Sequence, residues 1–391
     1  MKKLIIAIIC IASFNISLFS QNSIEHVLTE IEKNNTTLTA LQQRAEANTL
    51  ANKTGIYLQN PEIEFNYLWG NDAIGNRTDF SAKQTFDFPT AYGYKNQISD
   101  IKNEQVVLEF QKQRKELLFN ARLVCYDLIY TNALMVELSK RISNDESIAN
   151  SYKAKLDAGE TNILEYNKAQ LNLLNLRKER ESLTIESEAL LGELTRLNGG
   201  IPIEFARTEF PGSTIPANFE QWYAQAEQSN PLLNWLKKEI ELNQKQVSLN
   251  KAMSLPKLQA GYMSESVVGQ EFQGVTFGLS IPLWENKNKV KFAEASVLAA
   301  ENLSTDNKVQ LYNRLMILHA KATGLQKNIS DYKSKLQTFD NSGLLIKALD
   351  KGQISLINYM LERSIYYESI KASLELEREM NKVLAGLNQY L

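Results

Sequence analysis

The sequence predicts a mainly α-helical chain with a transmembrane β-barrel portion. Three observations carry that expectation: an internal duplication, long tracts without a helix breaker, and two pairs of strand-length segments that alternate apolar and polar residues. An apolar content of 43% in 391 residues is that of a folded chain. A net charge of -2 gives no reason to expect a nucleic acid partner.

At the N-terminus, Lys2 and Lys3 precede the apolar stretch Leu4 to Ala12 and the small-residue segment before Gln21, the layout of a secretory signal peptide over residues 1–20. Cys10 lies in mid-stretch, not behind a small residue at its end, which argues against a lipid anchor. After the leader no apolar run approaches 20 residues. The mature chain is therefore expected either to be soluble in the periplasm or to enter a membrane as β-strands.

The duplication pairs residues 21–198 with 217–391 across a linker at 199–216 that holds three Pro and three Gly. Asn60-Pro61-Glu-Ile-Glu64 aligns with Leu255-Pro256-Lys-Leu-Gln259 at an offset of 195. Phe86-Asp-Phe-Pro89 aligns with Leu279-Ser-Ile-Pro282, and Leu156-Asp-Ala-Gly-Glu160 with Leu349-Asp-Lys-Gly-Gln353, both at 193. Each repeat reads as helix, two strands, very long helix, short turn, helix.

Tyr94 to Ala158 contains neither Gly nor Pro, and as one helix it spans about 90 to 100 Å at ~1.5 Å per residue. Met135, Leu138, Ile142, Ala149, Tyr152 and Leu156 form a seam at alternating three and four spacing, interrupted only by Asp145. Leu176, Leu183, Leu190 and Leu197 recur every seven residues on the return helix, so an antiparallel hairpin is expected around Gly159 and a second around Gly352.

The strands are expected at about 61–70, 78–88, 256–266 and 273–283. Ile63, Phe65, Tyr67 and Trp69 alternate with Glu62, Glu64 and Asn66, and Phe80, Ala82, Phe86 and Phe88 with Ser81, Lys83, Thr85 and Asp87. Leu258, Ala260 and Tyr262, then Val275, Phe277, Leu279 and Ile281, repeat the pattern in the second half. Strands of ~9 to 11 residues with one apolar face fit lipid outside and water inside, with Phe65, Tyr67, Phe86, Tyr262 and Phe277 facing lipid. A soluble sandwich shares the alternation but needs further strands for a second layer. Trp69, Trp284, Tyr67 and Tyr262 lie at strand ends, where an interfacial girdle and core packing compete as explanations. Four strands cannot close a barrel and an open edge in lipid is forbidden, so closure requires a ring of copies. Three copies give a 12-stranded β-barrel continued by a 12-helix α-barrel.

Nothing favours catalysis. His26 and His319 are isolated, Cys125 stands alone, and there is no phosphate loop or nucleophile elbow. No metal site, cofactor or catalytic residue is expected. Acid pairs such as Glu186 and Glu188 read as solvated helix faces, and the seven Met residues form no track for soft metal ions.

In the order and spacing of Asn60 to Glu64, Gln84-Thr-Phe-Asp-Phe-Pro89, Ser280-Ile-Pro-Leu-Trp284 and the duplicated Leu-Asp-x-Gly turns, essentially the whole mature chain resembles the TolC-like outer membrane factor family of Gram-negative bacteria. The resemblance implies a homotrimeric channel through outer membrane lipid with a long periplasmic extension. It also implies a passive role in tripartite efflux of metal cations or drugs, with a periplasmic adaptor and an inner-membrane pump of the resistance-nodulation-division type. Leu156, Gly159, Leu349 and Gly352 would then be adaptor-docking tips. Glu165 and Asn358 would be gate candidates, Asn358 departing from the acidic ring of some relatives. Type I protein secretion and a soluble periplasmic coiled-coil adaptor or scaffold are the competing readings.

Overall fold

The computed structural model describes residues 23–212 and 214–390, so the leader and Cys10 lie outside the described residues. In chain order the elements are α1 (Ile24–Asn34), α2 (Thr36–Asn52), β1 (Glu62–Leu68), β2 (Arg77–Phe86), α3 (Pro89–Asp157), α4 (Ile163–Leu197), α5 (Phe219–Ser229), α6 (Pro231–Ala252), β3 (Lys257–Val267), β4 (Gln270–Ser280), α7 (Lys289–Thr338), α8 (Ser342–Asp350) and α9 (Leu356–Leu387). Two compact units draw on both repeats. One comprises the described residues up to Thr39, Gln113–Ala226 and those from Tyr312 on; the other comprises Ala40–Lys112 and Glu227–Leu311.

In the helical unit, Ser23 caps α1 by accepting from the His26 amide at 3.1 Å. Ile24, Val27, Leu28 and Ile31 then recur on one face and bury against Leu128 and Ile129 of α3 and Leu194 of α4. The linker is not a loose tether. Ile203 and Phe205 enter that core, and the buried Asn132 amide donates to the Phe205 and Arg207 carbonyls at 3.3 and 3.2 Å. A second core joins Leu138, Ile142 and Ala149 of α3, Ala169, Leu173 and Leu176 of α4, and Leu349, Leu356, Tyr359 and Tyr367 of α8 and α9. Leu138, Ile142 and Ala149 of the seam are buried, Met135, Tyr152 and Leu156 are half-buried, and Asp145 is buried among them.

The other unit carries one antiparallel sheet in the order β1-β2-β3-β4, so β1 and β4 are its edges. Phe80 opposes Phe65 and Ser264, and Tyr262 opposes Ala82 and Val275. Asp87, buried after β2, binds Lys95 at 2.8 Å, while its amide donates to the Tyr92 hydroxyl at 3.0 Å, turning the chain into α3. Among the described residues no helix is long and apolar enough to cross a membrane.

The structure departs from the repeat pattern at three breaks. The first helix of each repeat is two helices. Asn35 ends α1, accepts from the Leu38 amide at 2.8 Å, and donates to the Leu197 carbonyl at 2.6 Å. At the duplicated position Asn230 accepts from the Leu232 and Leu233 amides at 2.9 and 3.1 Å, and Pro231 supplies the first turn of α6. The third break is in the second long helix, which stops at Thr338 and resumes at Ser342, whereas α3 runs unbroken for 69 residues. The Asp340 carboxylate accepts from the Ser342 amide at 3.0 Å, a local bond that competes with helix continuation.

Replacing Asn35 with Ala removes a cap and strands the Leu197 carbonyl. We expect a loss of about 1 to 3 kcal/mol, against about 0.5 to 2 for Asn230→Ala, read as the difference between their thermal midpoints.

Candidate functional site

Residues opposite one another in an antiparallel ladder share a face, so the register sorts the sheet. Ile63, Phe65, Tyr67, Phe80, Ala82, Phe86, Leu258, Ala260, Tyr262, Val275, Phe277 and Leu279 all lie on one face. The five expected lipid-facing residues are among them. Among the described residues no other element covers this face: Phe277 is 83% and Ile63 70% exposed. The opposite face holds Glu62, Glu64, Asn66, Arg77, Asp79, Lys83, Gln259, Glu265 and Thr276. Arg77 there bridges Asp79 at 2.8 Å and Glu265 at 3.3 Å. Gly261 also lies on that face, opposite Lys83 and Thr276, and a Cβ there would come within 2.6 Å of the Ala82 carbonyl oxygen.

At one end of the sheet, Val268 and Gly269 form a two-residue hairpin turn with φ of 48° and 80°. A β-branched residue is strained there. Gly75 of the β1–β2 loop approaches Val268 so closely that a Cβ would stand 2.9 Å from its side chain. Tyr67 and Trp69 stack edge to face at 5.7 Å nearby.

The two hairpin turns of the helical unit are built alike. Gly159 (φ 75°) donates to the Leu156 carbonyl at 3.0 Å and Glu160 to that of Lys155 at 2.8 Å. Gly352 (φ 67°) donates to Leu349 at 3.0 Å and Gln353 to Ala348 at 2.8 Å. Both are helix ends closed by a left-handed glycine. Asn162 and Ser355, also 193 residues apart, cap the returning helices α4 and α9. Open space surrounds both glycines. Leu156 is half-buried and Leu349 only 5% exposed, so Leu349 packs inside the hairpin core and the backbone turn is what each tip displays. Glu165 pairs with Lys168 at 2.7 Å, and Asn358 is exposed.

A buried ionic junction at the meeting of α3, α4 and α9 went unread in the sequence. Asp145 accepts from the Asn172 amide at 2.6 Å. Its other carboxylate oxygen, and Nε of both Arg141 and Arg363, find no hydrogen-bond partner among the described residues. The Arg141 guanidinium lies over the Tyr367 ring at 5.1 Å, and the Tyr367 hydroxyl donates to Glu179 at 3.1 Å. Burial pushes the Asp145 carboxyl above its ordinary value, against the opposing pull of Arg141, Asn172, Arg363 and Tyr359. The Tyr359 hydroxyl is pushed up to about 12 by burial and by the Asp145 charge. The only trace of this cluster in the sequence is the polar interruption of the seam at Asp145. Among the described residues no three His, Cys, Asp or Glu side chains converge on a metal-sized site.

No protein-family model matches the sequence, and no curated protein resembles it at the level of sequence. Solved structures do resemble the fold. The Campylobacter jejuni CmeC outer membrane channel superposes with a TM-score of 0.77 at 12% identity, over 94% of this chain and 85% of that one. CusC, described in terms of folding and transmembrane channel formation, gives 0.75 at 14% identity over 94% and 92%. The Vibrio cholerae outer membrane protein VceC gives 0.73 at 11% over 94% of each chain.

Replacing Asp145 with Ala strands the Asn172 amide it accepts from, and we expect a loss of about 1 to 3 kcal/mol by chemical denaturation. Because the folded chain keeps the Asp145 proton where the unfolded chain has released it, this group's contribution to stability falls as pH rises from the ordinary carboxylate value to the raised one. Over that range the thermal midpoint of Asp145→Asn should fall less steeply with rising pH than that of the wild type. The chain has the fold of the outer membrane channels.

Proposed function

We propose that three copies of this chain form an outer membrane channel, the passive exit duct of a tripartite efflux system. The observation that carries the reading is the uncovered apolar face of a four-stranded sheet with two open edges. In water such a face would aggregate and such edges would pair indiscriminately. In a bilayer the same face is solvated by lipid, and β4 of one copy can join β1 of the next in antiparallel sense, giving twelve strands around a polar lumen. The likeness to the CmeC and CusC channels supports the same direction.

The helical unit then stands in the periplasm. Its glycine turns are small, uncovered and duplicated, suited to meet a periplasmic adaptor that links the duct to an inner-membrane pump of the resistance-nodulation-division type. Energy comes from the pump, and the duct supplies a water-filled path for metal cations or drugs. At the tips, Glu165 shares its charge with Lys168, so an acidic ring there would be weaker than the sequence count suggests.

Phe277→Lys places a charge in the lipid-facing band at a cost of about 2 to 4 kcal/mol per copy. We expect it to abolish recovery in outer membrane fractions, while Lys at the lumen-facing Thr276 should be tolerated. Equal membrane recovery of both would reject the assignment of faces.

Purified wild-type chain should give steady conductance in planar bilayers, and a deletion strain should be hypersensitive either to divalent and monovalent metals or to dyes, bile salts and antibiotics. No conductance together with unchanged sensitivity would reject the duct. A bulky charge at the second turn, Gly352→Arg, should leave the channel in the membrane yet reproduce the deletion phenotype. Normal resistance would remove the tips from the docking role.

A further inference from the structure

The buried junction of α3, α4 and α9 holds more hydrogen-bond donors than acceptors. Arg141 and Asp145 stand one turn apart on α3, and Tyr359, Arg363 and Tyr367 recur every fourth residue on α9, so each set shares one helix face. Arg141 is 7%, Arg363 9% and Asp145 5% exposed. Among the described residues neither guanidinium makes a hydrogen bond or an ion pair, and that of Arg141 meets the Tyr367 ring instead. Four sealed atoms of the junction are left over: Nε of Arg141, Nε of Arg363, Oδ1 of Asp145 and the Tyr359 hydroxyl. Folded chains leave such groups unpaired where something outside the chain supplies the bond.

Charge decides what supplies it. The other acids nearby are engaged or in solvent: Glu179 accepts from Tyr367 at 3.1 Å, Glu137 pairs with Lys140 at 2.7 Å, and Glu368 is exposed. Asp340 is also exposed and accepts from the Ser342 amide at 3.0 Å. Among the described residues Asp145 is therefore the one carboxyl buried with the two guanidinium groups. Burial favours its neutral form, in which the two cations have no counter-charge at all. A water molecule can bond to all four atoms but brings no charge. Nor does the repeat require charge here, since 193 residues away Arg141, Asp145 and Arg363 become Ser334, Thr338 and Gln170.

We infer that this junction binds one small anion of the halide class, chloride being the common member, held by Arg141 Nε, Arg363 Nε and the Tyr359 hydroxyl. Asp145 joins as an acid. With one carboxyl oxygen taken by the Asn172 amide, the other carries a proton and donates to the ion, so all four atoms are bonded. The donors arrive singly from two helices, and a sphere accepts from any direction, whereas carboxylates and phosphates favour paired donors. Below the raised value of the Asp145 carboxyl the anion binds without proton exchange; above it a proton must be taken up as well, so affinity falls as pH rises. The site needs only α3, α4 and α9 of one chain and stands apart from the duct reading.

The test is the full chain in detergent, melted by circular dichroism in sodium chloride, bromide or gluconate at one ionic strength, with bromide located by anomalous scattering in crystals. We expect the midpoint to rise by about 2 to 4 °C for each tenfold of halide beyond half-saturation, with a smaller rise at higher pH. Gluconate, too large to enter, should give no rise, and a bromide peak should lie between Arg141 and Arg363. Arg363→Met should lose the halide response. Asp145→Asn should keep it at every pH, because its amide donates without ionising. Equal midpoints in chloride and gluconate, or a halide response that survives Arg363→Met, would overturn the inference. If Arg363→Met fails to fold, the wild-type crystals decide: a bromide peak at the junction upholds the site, and its absence there overturns it.

Discussion

The structure depends on one constraint: a strand edge cannot stay unpaired in lipid. A backbone amide or carbonyl left open there costs several kcal/mol, and β1 and β4 each present a row of them. The apolar face of the sheet makes the bilayer its natural solvent, and the open edges then make a solitary copy untenable. In the proposed duct, folding, insertion and assembly would not be separable events, because the last backbone bonds of each sheet would form only when a neighbour arrives.

Duplication meets this demand economically. The chain contains its own hairpin-to-hairpin contact, in which Leu349, Leu356, Tyr359 and Tyr367 of the second hairpin pack on the first. It buries Asp145, which accepts from Asn172 and feels the charges of Arg141 and Arg363.

The parts of the fold that were legible in the sequence are those set by local period. Alternation in Glu62 to Trp69 and Val275 to Ile281 located strands to within a few residues, and the register then placed Phe65, Tyr67, Phe86, Tyr262 and Phe277 on one face. The glycine turns were legible because a left-handed residue leaves a mark in composition. The splits at Asn35 and Asn230 were not, since an asparagine reads as a surface residue until its amide is seen to reach a carbonyl such as that of Leu197. Nor was the ionic junction. Its members fall in two stretches, 141–179 and 359–367, that lie 180 residues apart, and neither Arg141 nor Arg363 breaks any periodic pattern. Leu349 shows the opposite limit, where a motif position was clear but its direction was decided by packing against Leu356 and Tyr359.

The break between Thr338 and Ser342 gives the two hairpins different mechanics. The descending arm of the first, α3, is a single rod whose bending stiffness is spread along its whole length. The corresponding arm of the second is a rod with a joint, α7 followed by the nine-residue α8. A load applied at Gly352 therefore concentrates its curvature at Phe339 to Asn341, leaving α7 straight, while the same load at Gly159 is shared by the entire helix. In the proposed three-copy duct, where the two arms would alternate, the jointed ones would yield first, so any dilation of the mouth would proceed by three compliant levers turning against three stiff posts.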